Sequence, residues 1–446
     1  GREYNIVEYF LNKDGAFNLQ LKCKLSNIKD VSKFSRQIIL KKISPKSLYA
    51  LKTSIVNIYD IFNMMVGEPT MINYFNNCNI NLIEIGSMCT EIDDFLNKQI
   101  EFDLAKDIDQ MMNFEINFFK SGVNAELDQK TEILNNSALK LEAIRVYLST
   151  LIEKTENKTK NENKTDKTTD YVKIHETDKN NIGLVSTARR CKILQTVLSN
   201  IDATIKLNIS EHHTFDYKIS NKSITFEKQS ANNNFIIEEQ LNSICKNITT
   251  VKTLNQKLIT IIYNDFVEQF GKTYYVQLEK IIQFITLIDV IYTKSDISKK
   301  YNYCKPEIAQ ADKSFVETTG LRHCLSEQLL NNELYISNNL SIGNANPDGI
   351  LLYGTNAVGK TTLIKALGIS VIMAQAGLYV PCTSFKFKPY KSMFTRIIGN
   401  DNIFKGLSTF EVEMLELRTI LRTTDENSLI LGDELCSGTE TVSAVS

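Results

Sequence analysis

Proline is scarce in this chain of 446 residues, which has six of them and none between Pro69 and Pro306. A proline inside a helix removes a backbone hydrogen bond and clashes with the preceding turn. The long interval without proline is rich in Lys, Glu, Asn, Leu and Ile, and it therefore predicts long helices rather than a compact α/β unit.

The chain also lacks closely spaced cysteine pairs, long apolar runs and a large net charge. The nine cysteines are scattered and form no Cys-x-x-Cys pair, which argues against a disulfide framework or a zinc site and for a reducing compartment. The longest apolar run, Ile281 to Tyr292, contains Asp289 and is too short to span a bilayer. No signal peptide opens the chain, so we expect an intracellular protein without a membrane partner. A net charge of −1 means that any nucleic-acid surface must be local.

The first part of the chain, residues 1–169, is predicted to be helical. Ser44-Pro45 marks a helix start, because the first helical position tolerates the missing proline N–H. A long helix is predicted from Asn124 to Ile152. The segment 153–170 that follows has five lysines and five acidic residues and nothing to bury, which predicts a solvated, mobile loop.

The pattern then changes from a helical period to alternation. Tyr171–Glu176 and Ile182–Thr187 are predicted to form paired strands, and Tyr217–Lys228 another pair around a turn at 220–223. These strands predict a small mixed α/β domain at 170–234, inserted between the first helical part and a returning long helix at 235–300. The inserted domain carries basic residues that are either an ordinary solvated surface or contacts to DNA phosphates: Lys179, Arg189, Arg190 and Lys192.

Residues 301–446 bring glycines, prolines and short apolar strands, the alternation of a mostly parallel sheet with helices. Strands are predicted at 314–317, 334–337, 349–353, 393–398 and 428–431. One segment within this region matches the phosphate-binding loop, in which backbone N–H groups surround the phosphates and a lysine reaches the outer ones. Its residues are Gly354, Thr355, Asn356, Ala357, Val358, Gly359, Lys360, Thr361 and Thr362.

A second motif sharpens this prediction. The apolar strand at 428–431 leads to Asp433 and Glu434. A carboxylate beside the loop suits Mg²⁺, so Thr361 and Asp433 are expected to hold the ion and Glu434 to polarise the attacking water. The predicted cofactors are ATP and Mg²⁺.

Ser408 precedes a helix and has Glu411 three residues later, which is a capping box. Because a helix N-terminus also binds anions, Ser408 is alternatively a γ-phosphate ligand; in ATPases with such a segment the phosphate belongs to a partner subunit.

In order and spacing, five segments resemble the ATPase domain of the MutS family of DNA mismatch-repair proteins. They are Gly354-Thr-Asn-Ala-Val-Gly-Lys-Thr-Thr, Met373-Ala-Gln-Ala-Gly-Leu-Tyr-Val-Pro, Phe394-Thr-Arg-Ile, Ser408-Thr-Phe-Glu-Val-Glu-Met and Asp433-Glu434 with Gly438-Thr439. Upstream, Leu321-Arg-His323 resembles the family's Gly-Arg-His-Pro segment, and Tyr335 lies where a family aromatic stacks on adenine. The alternative for Tyr335 is a packed strand residue.

The resemblance implies a multidomain fold: a mainly α lever with a small inserted mixed α/β clamp, followed by an ABC-type P-loop ATPase domain that is incomplete at its C-terminus. It implies a composite, Mg²⁺-dependent ATPase formed with a second MutS-type subunit, a homodimer, acting on mismatched double-stranded DNA. The variant loop Thr-Asn-Ala-Val is similar to the branch of giant viruses and soft-coral mitochondria, so a viral or organellar origin is expected, in the cytoplasm or nucleus of a host.

The family's mismatch-reading domain, connector and dimerising helices have no counterpart in the sequence. We therefore expect a piece of a longer protein, with little or no turnover of its own. Two alternatives remain: a MutS relative that acts on branched or recombining DNA, and a structural chromosome ATPase of the SMC type. The order of the chain opposes the second, since in the SMC design the phosphate loop precedes the coil.

Overall fold

The structure is a computed structural model that describes residues 1–158, 171–177, 182–199, 201–210, 213–219, 224–330, 334–355, 358–397 and 409–433. By its internal contacts the chain forms two compact units. The first unit comprises Gly1–Asn27, Ile58–Ser87 and Lys280–Ser446, and the second comprises Ile28–Asn57 and Met88–Glu279. The predicted domain boundaries after residues 169, 234 and 300 stay a prediction. Among the described residues, no helix combines the length and the apolar character needed to cross a membrane.

The chain opens with seven helices, in agreement with the helical structure predicted for this part. The start at Pro45 is confirmed, and Ser44 accepts a hydrogen bond there from the backbone N–H of Ser47 at 3.2 Å. Leu48, Leu51, Ile55, Ile58 and Ile61 repeat at helical spacing and are all buried, so one face of this helix packs into the core. The helices are α1 (Arg2–Asn12), α2 (Gly15–Asn27), α3 (Val31–Ile39), α4 (Pro45–Met65), α5 (Pro69–Asn76), α6 (Leu82–Gln99) and α7 (Phe102–Ala105).

Two long helices follow the pattern without proline. Helix α8 (Ala125–Lys158) begins after Asn124, whose side chain accepts a hydrogen bond from the N–H of Leu127 at 3.0 Å. The expected end at Ile152 is wrong, because the helix continues through Glu153–Lys158, where four of the six residues are the helix-favouring Glu and Lys. The rest of the predicted loop, 159–170, lies outside the described residues. Helix α10 (Glu239–Lys300) has 62 residues, roughly 90 Å at 1.5 Å per residue.

In the described residues between these helices, the second unit has six strands and one helix: β1 (Lys173–Glu176), β2 (Ile182–Thr187), α9 (Ala188–Leu198), β3 (Ala203–Ser210), β4 (His213–Ile219), β5 (Thr225–Lys228) and β6 (Asn233–Ile237). Strands β1 and β2 pair antiparallel, as predicted, in a sheet of order β1-β2-β6-β5. The predicted pairing within 217–228 is wrong, because β4 pairs with the preceding β3 and β5 pairs with β6. The predicted turn at 178–181 and the segment 220–223 lie outside the described residues.

The first unit contains the remaining elements: β7 (Glu307–Ile308), β8 (Phe315–Leu321), α11 (Ser326–Leu329), β9 (Asn338–Ile342), α12 (Lys360–Gln375), β10 (Ser384–Lys388), β11 (Ser392–Arg396), α13 (Thr409–Thr423) and β12 (Ser428–Gly432). Four strands form a sheet of order β7-β10-β8-β9, in which β8 pairs antiparallel with both neighbours. The expectation of a mostly parallel sheet is therefore wrong for these four strands. Only β7 with β10 and β11 with β12 are parallel pairs among the described residues.

Two predicted strands are not formed. Residues 334–337 and 349–353 have no regular structure, and β9 begins only at Asn338. Leu351 and Tyr353 are each 88% exposed. An apolar run makes an inner strand only where neighbouring elements cover both of its faces, and no described element covers these two side chains.

Candidate functional site

The site is built around the start of α12. Gly359 precedes the helix with φ +96°, a left-handed conformation that favours glycine. The first N–H groups of a helix have no partner within it and carry the positive end of the helix dipole, which makes this end suitable for an anion. Gly354, Thr355, Val358 and Gly359 of the predicted loop are described, whereas Asn356 and Ala357 lie outside the described residues.

Lys360 lies across the loop. Its Nζ donates hydrogen bonds to the carbonyl oxygens of Gly354 and Thr355, both at 2.8 Å. The ammonium group is thus held at the loop by two neutral acceptors. A third N–H donor remains for a phosphate oxygen, with which an ammonium forms stronger hydrogen bonds than with a neutral carbonyl.

Thr361 and Asp433 meet, although 72 residues separate them. The Thr361 hydroxyl donates to Asp433 Oδ2 at 2.5 Å, and the Asp433 N–H donates to the carbonyl of Arg396 at 2.8 Å, directly after the parallel pair β11–β12. A hydroxyl and a carboxylate oxygen are ligands that Mg²⁺ uses together with water and phosphate oxygens. The two groups therefore fit the ion at the predicted position. No cluster of three or more His, Cys, Asp or Glu suited to a metal occurs in the described part of the chain.

Close packing holds these two groups together. A Cβ added to Gly368 of α12 would come within 2.7 Å of Leu431 Cδ1 on β12, so glycine allows the helix to approach the strand. Leu367, Val371, Leu429 and Leu431 are buried in the same cluster. The helix that carries Thr361 and the strand that leads to Asp433 are thereby fixed against each other.

Arg396 is a residue whose role the sequence did not indicate. Its side chain is 8% exposed, and Nη1 contacts Glu416 Oε2 of α13 at 3.1 Å. Its own carbonyl accepts the hydrogen bond of Asp433. Arg396 therefore connects α13 with the strand pair beside the loop.

Helix α13 begins at Thr409, directly after the predicted cap, but Ser408 and Glu434 lie outside the described residues.

The Arg-His segment upstream stabilises a turn. Arg322 contacts Glu327 Oε2 at 2.8 Å and donates to the carbonyls of Tyr301 and Asn302. His323 is buried, and its Nδ1 accepts hydrogen bonds from the N–H groups of Leu325 and Ser326. Burial raises the pKa of the Glu327 carboxyl, against the effect of Arg322.

Tyr335, the predicted adenine contact, is half-buried in irregular backbone. Burial raises the pKa of its hydroxyl, and the neighbouring groups that act on this pKa are His323 and Glu327. The flanking Leu334 and Ile336 are exposed. The contacts described for Tyr335 thus lie at the Arg-His turn, and its stacking on a base stays a prediction.

The predicted DNA contacts differ in their surroundings. Arg189 and Lys192 are exposed on α9. Arg190 instead pairs with Glu156 at 3.7 Å and lies 4.5 Å from the ring centre of Tyr171, so it stabilises the inserted strands. Lys179 lies outside the described residues.

Comparisons with known proteins agree with the motifs. The family model of MutS domain V matches residues 350–446. A putative DNA mismatch repair protein mutS homolog of Acanthamoeba polyphaga mimivirus is 26% identical over 99% of this chain and 41% of its own length. The mitochondrial DNA mismatch repair protein mutS homolog of Sarcophyton glaucum is 35% identical over 53% of this chain and 24% of its own length. The DNA mismatch repair protein MutS of Petrotoga mobilis is 27% identical over 99% of this chain and 47% of its own length.

These matches confirm the resemblance that the sequence motifs give, and they include the giant-virus and soft-coral mitochondrial relatives that the variant loop predicts. The chain spans less than half the length of these curated relatives.

Proposed function

We propose that this chain is part of a MutS-type DNA mismatch-repair protein, that it binds ATP with Mg²⁺ at the start of α12, and that the protein's affinity for DNA depends on the bound nucleotide. The observation that best supports the nucleotide site is the 2.5 Å contact between Thr361 and Asp433 beside the glycine-preceded helix start. Two sequence motifs 72 residues apart thereby bring together a hydroxyl and a carboxylate oxygen, two groups that bind Mg²⁺ in phosphate-transfer sites.

Each residue has a distinct proposed role. The loop N–H groups and Lys360 bind the phosphates, and Thr361 and Asp433 hold Mg²⁺ directly or through water. When bound, Mg²⁺ neutralises charge on the phosphate oxygens. Glu434, the residue after Asp433, orients and polarises the attacking water. Ser408 contacts the γ-phosphate bound by a second copy of the chain, so turnover requires the full-length dimer.

The DNA-binding role rests on the family and on local charge. Arg189 and Lys192 are exposed, three positions apart on α9, and thus lie on one side of that helix. Cations placed in this way contact phosphates without reading sequence. We infer that α8 and α10 act as levers, that the inserted strands act as a clamp, and that ATP binding and hydrolysis switch them around mismatched DNA.

The substitution Lys360→Ala in the 446-residue chain tests the nucleotide site. Affinity for a fluorescent ADP analogue with Mg²⁺ should fall about tenfold or more, because charge-assisted hydrogen bonds to phosphate are removed. Lys365→Ala, on the same helix beyond its first turn, is the matched control and should bind as the unmodified protein does. Equal affinity in the Lys360 variant would refute the site.

The DNA substrate is tested in the full-length dimer. Homoduplex, single-mismatch and four-way branched DNA should be compared with ADP and with ATP. Tighter binding of the mismatch, abolished on adding ATP, supports the mismatch-repair function. Preference for the branched DNA would favour the relative that acts on recombining DNA.

A further inference from the structure

The far end of α12 is unusually closely packed. Gly377 ends the helix with φ +78°, and its N–H and that of Leu378 donate to the carbonyls of Ala374 and Met373 at 3.0 and 2.9 Å. This is a glycine-type C-cap. A Cβ at Gly377 would come within 2.5 Å of Glu3 Cβ. Helix α1 is therefore in direct contact with the end of α12.

Three side chains join this end to α1 and α10, and we call Glu3, Tyr4 and Lys294 the α12 latch. The buried Tyr4 hydroxyl donates to the carbonyl of Ala374. Lys294 of α10 donates to the carbonyl of Ala376 at 3.5 Å and to Glu3 Oε2 at 3.0 Å. The other Glu3 oxygen accepts a hydrogen bond from the Tyr74 hydroxyl at 3.0 Å.

These contacts match the electrostatics of the helix end. The last carbonyls of a helix lack partners within it and carry partial negative charge, so an ammonium group there is stabilising. The Lys294 side chain is only 12% exposed, which limits screening by salt. Glu3 balances the charge of Lys294. The latch thus binds α12 through the backbone carbonyls at the end of that helix. A shift of α12 along its axis must therefore change the lengths of these hydrogen bonds.

We propose that the α12 latch transmits nucleotide occupancy from the start of α12 to the C-terminal end of α10. This rests on the proposed function, because it assumes that phosphates bind at Lys360 and Thr361. Helix α12 has 16 residues, roughly 24 Å at 1.5 Å per residue, and packed helices move as rigid bodies by small shear displacements. Lys294 is a positioning residue in this proposal, since it acts through the helix and not on the nucleotide.

Hydrogen–deuterium exchange of the protein with and without ADP and Mg²⁺ tests the latch. In the unmodified protein, ADP should slow exchange in α12 and also in residues 288–300 of α10. The variants Lys294→Met and Tyr4→Phe keep the bulk of each side chain but remove the bonds to the α12 carbonyls. In both, ADP affinity and the slowing in α12 should persist, whereas the slowing in 288–300 should fall about fivefold or more.

Lys305→Met is the matched control. Lys305 also pairs with α1, through Glu8 at 2.7 Å, but it does not contact the α12 carbonyls. This variant should keep the ADP-dependent slowing in 288–300. Because the measured quantity is the change caused by ADP, a uniform loss of stability in any variant leaves it unaffected.

The outcomes separate the two proposals. If ADP binds the unmodified protein but leaves 288–300 unchanged, or if the slowing survives in both latch variants, the latch proposal is refuted and the nucleotide site stands. If the unmodified protein does not bind ADP, the proposed function itself fails and the latch proposal fails with it.

Discussion

At the scale of single residues, the Thr361 hydroxyl is the group that most specifically links the helix start to Asp433. Thr361→Val keeps the shape of the side chain and removes the hydrogen bond at 2.5 Å. On the proposed function, we expect the gain in nucleotide affinity caused by Mg²⁺ to fall about tenfold, while affinity without Mg²⁺ changes little. Titration calorimetry with and without the ion measures both. Thr361→Ser should restore the gain, and a Val variant with a normal Mg²⁺ effect would remove Thr361 from the ion site.

Glu268 provides a prediction about pH. Hydrogen bonds from Lys272 and then Lys41, at 2.7 and 2.6 Å, lower the pKa of its carboxyl to about 2. Because the folded-state pKa is depressed, the stabilisation is present above the ordinary value near 4.5 and is lost as the pH falls toward 2. The group is exposed, so salt screens the effect. A pH titration followed by carbon-13 NMR should give a depressed midpoint for the Glu268 carboxyl, which moves back toward the ordinary value in Lys272→Met and at high salt. An ordinary titration midpoint at low salt would contradict this prediction.

At the scale of elements, Glu238 fixes the junction between β6 and α10. It is 4% exposed. One carboxylate oxygen accepts from the Gln240 N–H at 2.9 Å, and the other accepts from the Leu241 N–H at 2.8 Å and the Tyr217 hydroxyl at 3.3 Å. The start of the longest helix is thereby bonded to the β3–β4 hairpin.

Glu238→Ala leaves two helix N–H groups and a buried hydroxyl without this acceptor. We expect the free energy of unfolding to fall by about 2–3 kcal/mol, measured by urea denaturation. Tyr217→Phe removes only one of the three bonds and should cost about 1 kcal/mol. The exposed neighbour Glu239 is the control, and its Ala variant should lose no more than a few tenths of a kcal/mol. Equal losses at 238 and 239 would contradict the junction.

Helices and strands were predictable from the sequence where the signal is local: apolar spacing within one helix, or two strands that follow each other in the chain. The apolar spacing in 45–65 and 125–152 reports a buried face directly, and β1 and β2 are neighbours in the chain. The pairing partners of β4 and β5 were not predictable in this way. The alternating pattern around Tyr217 and Phe226 indicates strands, but it is equally compatible with pairing to the strand before or to the strand after. Residues 349–353 show the same limit, since an apolar run records a preference for burial but not whether another element covers it.

The candidate site was predictable for a different reason. The loop at 354–361 and the strand before Asp433 are short patterns that must be adjacent if they bind a phosphate and Mg²⁺ together, and the structure brings Thr361 and Asp433 together. The far end of α12 has no such pattern. Glu3 and Lys294 are 291 residues apart, and neither Tyr4 nor Gly377 indicates a partner until the helices are packed.

At the scale of the whole molecule, a net charge of −1 means that the proposed DNA binding must come from local cations. Arg189→Gln and Lys192→Gln should each flatten the dependence of log affinity on log salt by about one unit for every phosphate that the removed cation had neutralised. Arg190→Gln should instead lower stability and leave the slope unchanged, because Arg190 contacts Glu156 and Tyr171. Fluorescence anisotropy of the full-length protein on duplex DNA over a range of salt concentrations gives the slopes. An unchanged slope in both variants would show that Arg189 and Lys192 belong to an ordinary solvated surface and contact no phosphate.

The two hydrogen bonds from the Lys360 ammonium group to carbonyl oxygens of the loop have a kinetic consequence. An incoming phosphate does not meet a free ammonium group but one already held at 2.8 Å by Gly354 and Thr355. Two of its three N–H donors are engaged, so on the proposed function the lysine releases these carbonyls before it can give a phosphate more than one hydrogen bond, and association includes this exchange. Its observed rate should level off as nucleotide concentration rises, at the rate with which the lysine releases its own loop.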